Sequence, residues 1–147
     1  MTIPHYPIFL NLKDRLVLVV GAGKVALRKT KGLLEAGAKV TLVAPQCDPA
    51  FEDLPVKLLR RRFRVSDLAG AILVFAATDD RTVNRRISKE VTRRGILANI
   101  ADSAEECDFV VPARIRKGKL QIAISTGGQD PRLSRQMRIK LEKNLLG

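Results

Sequence analysis

Two glycines spaced two residues apart carry the clearest chemical signal in the sequence. In Leu16-Val-Leu-Val-Val-Gly21-Ala-Gly23-Lys-Val-Ala26, a run of branched apolar residues stops at Gly21 and a helical pattern begins at once. The expected structure is a buried parallel strand, a tight turn and a helix N-terminus. Gly21 permits the sharp turn. Gly23 has no Cβ, so a pyrophosphate can approach the backbone there. Ala26 stands where a small residue lets the helix pack close to the strand. The first N–H groups of such a helix, with the positive end of its dipole behind them, suit an anion. Dinucleotide binding is the chemistry implied; a strand-to-helix turn that binds nothing is the alternative.

The other reactive side chains are sparser. A dinucleotide fold often has Asp or Glu at the end of the second strand, where it holds ribose hydroxyls. Here that strand ends Val43-Ala44-Pro45-Gln46, so Gln46 is the candidate for a ribose hydroxyl, with Asp48 in reach. No arginine marks the tip, and NAD is therefore expected rather than NADP. Cys47, Cys107 and the single His5 make no ligand-spaced set, so no metal site is expected and both thiols are expected to be reduced in a cytoplasmic protein.

The net charge of +12 admits three readings: nucleic acid, a small polyanion, or basic helix faces in solvent. The densest cluster is Arg60-Arg-Arg-Phe-Arg64, which is either a solvated run or an anion-binding lip. No nucleic-acid motif accompanies it, and its basic residues are not interleaved with aromatics, so nucleic acid is not an expected partner. No apolar run approaches the length of a membrane span, and the N-terminus does not read as a secretory signal.

These residues need elements to position them. With 147 residues, 46% hydrophobic and 4% aromatic, the chain supports one compact domain with an aliphatic core and a short appendage. Residues 3–12 read as an extended lead-in. The glycine turn opens a predicted helix over 24–36, ended by Gly37, and a second strand over 39–43 completes a strand–helix–strand unit. A turn-like stretch over 47–55 precedes a short strand at 56–59. Residues 71–77 are apolar throughout and predict a strand covered on both faces. Thr78-Asp79-Asp80 caps a predicted helix over 81–94, ended by Gly95, and residues 96–100 form the fifth strand.

After Asp102 the pattern changes. Residues 109–115 and 120–124 read as a hairpin joined through Gly118. Asp130 is an N-cap with Pro131 at the first helical position. The final helix places Leu133, Met137, Leu141 and Leu145 on one face, and Ile139 and Leu146 on another. A helix apolar on two faces suggests self-association. The fold expected is α/β: a Rossmann-type doubly wound parallel sheet over 1–112, followed by a hairpin and helix for dimerisation over 113–147.

Taken together, these motifs resemble one family. They are Tyr6-Pro-Ile-Phe9, Val20-Gly-Ala-Gly-Lys-Val-Ala-Leu-Arg-Lys29, Leu34-Glu-Ala-Gly-Ala38, Ala76-Ala-Thr-Asp-Asp80 with Val83-Asn84, Asn99-Ile-Ala-Asp102, Phe109-Val-Val-Pro112, and Ile124-Ser-Thr-Gly-Gly128 with Pro131. The chain is similar to the precorrin-2 dehydrogenase / sirohydrochlorin ferrochelatase family, the dehydrogenase domain of siroheme synthase. The resemblance implies NAD-dependent oxidation of precorrin-2 to sirohydrochlorin. It implies Asp102 as the residue of the chemistry, and cofactor contacts at Gly21, Gly23, Lys24, Val25, Pro45, Gln46, Thr78 and Asn99. Precorrin-2 is fringed with carboxylates, which gives the positive charge a partner. Some members also insert ferrous iron; that activity is expected to be weak or absent here. Ser125 is followed by Thr126, where some members have a second serine, and longer relatives continue past the position of Gly147. The alternative is a regulatory NAD-binding module without catalysis, which would not turn over a tetrapyrrole.

Overall fold

The computed structural model describes residues 3–146, Leu146 by its backbone alone. The chain divides into two compact units. The larger is Ile8–Asp108; the other gathers residues 3–7 and 109–146.

The larger unit is built on five parallel strands: β1 (Leu16–Val20), β2 (Lys39–Val43), β3 (Lys57–Leu59), β4 (Leu73–Ala76) and β5 (Leu97–Ile100). Their order across the sheet is β3-β2-β1-β4-β5. Parallel strands with helices on both faces must be apolar on both, and Val17, Leu18 and Val19 are each fully buried. Helix α1 (Lys24–Glu35) packs on β1 and β2, with Ala26, Thr30 and Leu33 buried. Helix α2 (Arg81–Arg94) packs on β4 and β5. Its Ile87 and Val91 join Leu18, Val20, Val74, Ala76, Ala98 and Ile100 in an aliphatic core that Phe63 and Leu68 close. Phe51, in a short 3₁₀ turn at Pro49–Phe51, is also buried inside the stretch expected only to turn.

The strands are shorter than the apolar runs. Val56, Ala71, Ile72, Ala77 and Ile96 flank the paired residues and belong to no strand. Helix α2 ends as its sequence requires: Gly95 adopts φ 66° and its N–H bonds the Thr92 and Val91 carbonyls. The outer edge of β5 is closed by the chain that follows, because the Ala98 N–H donates to Asp108 Oδ2 and the Asp108 N–H donates to the Ala98 carbonyl, both at 2.9 Å.

The smaller unit holds an antiparallel hairpin, β6 (Ala113–Lys117) with β7 (Leu120–Ile124), turning at Gly118–Lys119. Residues 109–112, expected in the first hairpin strand, are not strand. Helix α3 (Pro131–Leu146) packs on the hairpin. Asp130 caps it, its Oδ1 accepting the Leu133 N–H at 2.9 Å. Leu133, Met137 and Ile139 stay exposed, and the Leu146 side chain lies outside the described residues.

Candidate functional site

Parallel strands bring their carboxyl ends to one edge, and chain reversal between β1 and β4 opens a crevice there. Helix α1 leaves this edge toward β2, on one side of β1. The segment that follows β4 leads to α2 on the other side.

The glycine turn is packed from behind and open in front. Gly21 has φ 109°, and a Cβ there would sit 2.3 Å from the Ala77 carbonyl oxygen. Only glycine lets β1 and the segment after β4 approach this closely. A Cβ at Gly23 would meet nothing within 4 Å. Gly23 is the N-cap of α1; no side chain caps the helix and its first turn has no acidic residue. No N-cap side chain therefore bonds the first N–H groups of α1, and the helix dipole stands behind them. Lys24 and Val25 are exposed in that first turn. Such a turn suits a diphosphate, so the residues present fit a dinucleotide.

Pro45 and Gln46 follow β2 and are exposed. Their loop is tied to the glycine turn, because the Asp48 N–H donates to the Ala22 carbonyl at 3.0 Å and the Gly21 N–H to the Val43 carbonyl at 2.9 Å. The Asp48 carboxylate is already used: Oδ1 accepts the Ala50 N–H at 2.9 Å and caps the 3₁₀ turn. That leaves Gln46 as the ribose candidate at this tip.

Thr78 follows β4. Its hydroxyl donates to Asn84 Oδ1 at 2.7 Å and accepts the Asp80 N–H at 3.2 Å, while Asn84 Nδ2 donates to the Thr78 carbonyl at 3.0 Å. Asn84 is fully buried and anchors this loop to α2. Its role was visible only as part of the Val83-Asn84 motif. Asn99, on β5, is mostly buried, and its Oδ1 accepts Lys29 Nζ at 3.1 Å. Lys29 also lies 5.4 Å from the centre of the Phe75 ring. Burial, then the neighbouring Arg28, pull the lysine below its ordinary pKa. In the sequence Lys29 stood out only as the last residue of the glycine motif, on a basic helix.

Asp102 sits in the turn after β5, with its side chain about a third exposed. Its Oδ1 pairs with Arg81 Nη1 at 3.0 Å, and Arg81 Nη2 also contacts Glu106 Oε1. Its side-chain partner is thus an arginine of α2 rather than an N–H of its own loop. Cys107 lies close by, bonded to the Ile100 backbone. Cys47 is half-buried, and burial raises its pKa, which argues against a thiolate nucleophile. Among the described residues, no three His, Cys, Asp or Glu side chains cluster to hold a metal ion.

The arginine cluster is partly structural. Arg61 makes a paired bond to the Asp67 carboxylate, at 2.6 and 2.9 Å, and the Asp67 side chain is nearly buried. That bond is the main cause of Asp67's lowered pKa. Arg60 pairs with Glu52 at 3.1 Å. In the smaller unit Ser125 and Thr126 serve their own turn. Ser125 Oγ accepts the Gly127 N–H at 3.0 Å, and Thr126 Oγ1 accepts the Asp130 N–H at 2.9 Å.

Comparison with known proteins agrees with this geometry. Residues 8–113 match the family described as "Putative NAD(P)-binding", and residues 117–144 match "Sirohaem biosynthesis protein central". A siroheme synthase of Thioalkalivibrio sulfidiphilus is 43% identical over 141 residues, covering 93% of this chain and 29% of the relative. A siroheme synthase of Methylobacillus flagellatus is 42% identical over 140 residues, covering 92% of this chain and 30% of the relative. The chain thus spans under a third of the curated relatives it matches. A solved structure titled "SirC, precorrin-2 dehydrogenase" superposes with a TM-score of 0.82 at 34% identity, covering 95% of this chain and 71% of that one.

Proposed function

Because the chain belongs to the precorrin-2 dehydrogenase family, the dehydrogenase part of the siroheme synthases, we propose that it oxidises precorrin-2 to sirohydrochlorin with NAD. The observation that carries the reading is the bare N-terminus of α1 in front of Gly23. A dinucleotide held there would supply the hydride acceptor. The first N–H groups of α1 hold the pyrophosphate, with Lys24 and Val25 in the same turn, and Gly21 sets the turn's depth. Gln46, next to Pro45, bonds a ribose hydroxyl. Asn99 and the Thr78 loop stand at the ends of β5 and β4, on the other side of the crevice.

Asp102 lies past the carboxyl end of β5, the edge at which such sheets bind ligands. With Oδ1 held by Arg81, Oδ2 is the atom that takes the proton released when the tetrapyrrole loses its hydride. A chain carrying +12 concentrates a substrate fringed with carboxylates near this edge. The enzyme is cytoplasmic in this reading, consistent with the unpaired thiols of Cys47 and Cys107. It works as a homodimer through the smaller unit, where Leu120, Leu133, Met137 and Ile139 are exposed on the hairpin and α3. Met137→Glu with Leu141→Glu is then expected to give monomer or aggregate by light scattering; an unaltered oligomer would refute the interface.

The activity is tested by incubation with enzymatically made precorrin-2 and NAD. The sirohydrochlorin absorption spectrum is expected to develop only with protein and NAD together. No spectral change beyond the protein-free rate would overturn the assignment.

A further inference from the structure

Arg81 is placed against the usual preference of a helix. It occupies the first position of α2, where the positive end of the dipole disfavours a cation. Its guanidinium turns to the segment after β5, with Nη1 donating to Asp102 Oδ1 at 3.0 Å and Nη2 to Glu106 Oε1. A guanidinium presents its donors in a rigid planar fork, so one arginine sets the relative place of both carboxylates. The backbone beneath each of the three side chains is tied down. Asp80 Oδ1 caps the start of α2 by accepting the Thr82 and Val83 N–H groups. The Ala101 N–H donates to the Ala76 carbonyl at 2.9 Å, and the Ser103 N–H to the Ile100 carbonyl at 3.2 Å, which fixes the turn that carries Asp102. Glu106 ends a 3₁₀ turn at Ala104–Glu106, and the next residue, Cys107, accepts the Ile100 N–H through Sγ at 3.1 Å. Burial pushes the Glu106 carboxyl up, but the Arg81 bond, with the Ser88 and Ser103 hydroxyls nearby, outweighs that and holds it below its ordinary pKa. Glu106 is thus a charged anchor for the arginine.

We propose that Arg81, braced by Glu106, is a positioning residue that holds the Asp102 carboxylate in the orientation that suits proton removal. An aspartate on a partly exposed turn otherwise samples several rotamers. A general base must lie within hydrogen-bond reach of the proton it takes, and a small misplacement slows the transfer steeply. With Oδ1 on Arg81 the side chain is confined, and Oδ2 keeps a fixed place past the carboxyl end of β5. Arg81 acts through Asp102 and itself touches neither the tetrapyrrole nor the dinucleotide. This inference rests on Asp102 as the base.

The test is steady-state turnover of precorrin-2 at saturating NAD, with a thermal melt of each protein. The variants are Asp102→Asn, Arg81→Met, Arg81→Lys, Glu106→Gln, Arg85→Met and the double variant Arg81→Met with Asp102→Asn. Arg81→Met is expected to lower kcat about tenfold with KM within about threefold. Its melting temperature should not fall, because an exposed ion pair contributes little and the dipole disfavours the cation. Arg81→Lys keeps the charge and a donor toward Asp102, and should recover kcat to within about threefold of wild type. Glu106→Gln should lower kcat about threefold. In the Asp102→Asn background, Arg81→Met should cause no further loss. Arg85→Met removes an equal charge from the next turn of α2, at an exposed position, and should leave kcat within about twofold. Arg81→Gln carries the methionine prediction if that variant folds poorly. Unchanged kcat in Arg81→Met or Glu106→Gln, a loss confined to KM, an equal fall of kcat in Arg85→Met, or losses that multiply in the double variant would overturn the role. Turnover of Asp102→Asn at the wild-type rate would overturn the base reading itself, whatever the Arg81 variants do.

Discussion

Helices α1 and α2 both begin at the carboxyl edge of the sheet, yet they treat their first N–H groups in opposite ways. At α2, Asp80 Oδ1 accepts the Thr82 N–H at 2.8 Å and the Val83 N–H at 3.3 Å. Arg81, at the first helical position, is poorly placed for the helix dipole and is held by Asp102 and Glu106. The end of α2 is satisfied from within the chain. At α1 the cap is Gly23, without a side-chain bond, and open space lies in front of it. A Ser, Thr, Asp or Asn cap typically contributes about 1 kcal/mol, which α1 forgoes. One helix start is capped from within the chain, and the other has no side-chain cap.

The largest effect should come from closing the turn behind the bare end. Gly21→Ala would put a Cβ against the Ala77 carbonyl at a backbone angle that L residues rarely adopt. A loss of about 3 kcal/mol or more is expected in chemical denaturation, with NAD binding lost as well. A variant of wild-type stability would show the two segments to be less tightly packed than described. Next is Asp102→Asn, which keeps the size of the side chain at the finished end and removes the proposed base. Precorrin-2 turnover should fall at least about a hundredfold. Melting temperature should barely move, since exposed ion pairs contribute little. Turnover within a few-fold of wild type would assign Asp102 to holding Arg81 alone. The smallest effect is expected from Asp80→Ala. It uncaps α2 and should cost about 1 kcal/mol of stability while NAD affinity changes little. If NAD affinity drops as far as in a glycine-turn variant, the two helix starts are not functionally distinct.

The strand–turn–helix unit was legible because it depends on local chemistry. A branched apolar run, two glycines and an amphipathic segment allow few other structures, and both α2 bounds and its Asp80 and Gly95 caps follow from capping rules. The strand edges at Val56, Ala71 and Ile96 were not legible, because apolar runs record burial and not pairing. Phe51 was missed since a short 3₁₀ turn buries one side chain without any period. In the site, Gly21 and Gly23 were read from spacing, and Asp102 and Asn99 only through resemblance. The partners that define them, Arg81 for Asp102 and Lys29 for Asn99, lie 21 and 70 residues away in sequence. Spacing rules do not reach that far. Asp48, weighed as a ribose ligand, also caps a 3₁₀ turn through Oδ1, a role open to a short acid ahead of a proline.

The most direct measurement pairs a melt with a titration on Gly23→Asp. The N-cap backbone lies in the extended region and the Cβ meets open space, so the new carboxylate can cap α1 without strain. It would then occupy the N–H groups proposed to hold the pyrophosphate and repel its charge. The chain without ligand is expected to be as stable as wild type or more so, by up to about 1 kcal/mol, and its NAD affinity at least about a hundredfold weaker. Undiminished NAD affinity in a folded Gly23→Asp chain would contradict the dinucleotide reading.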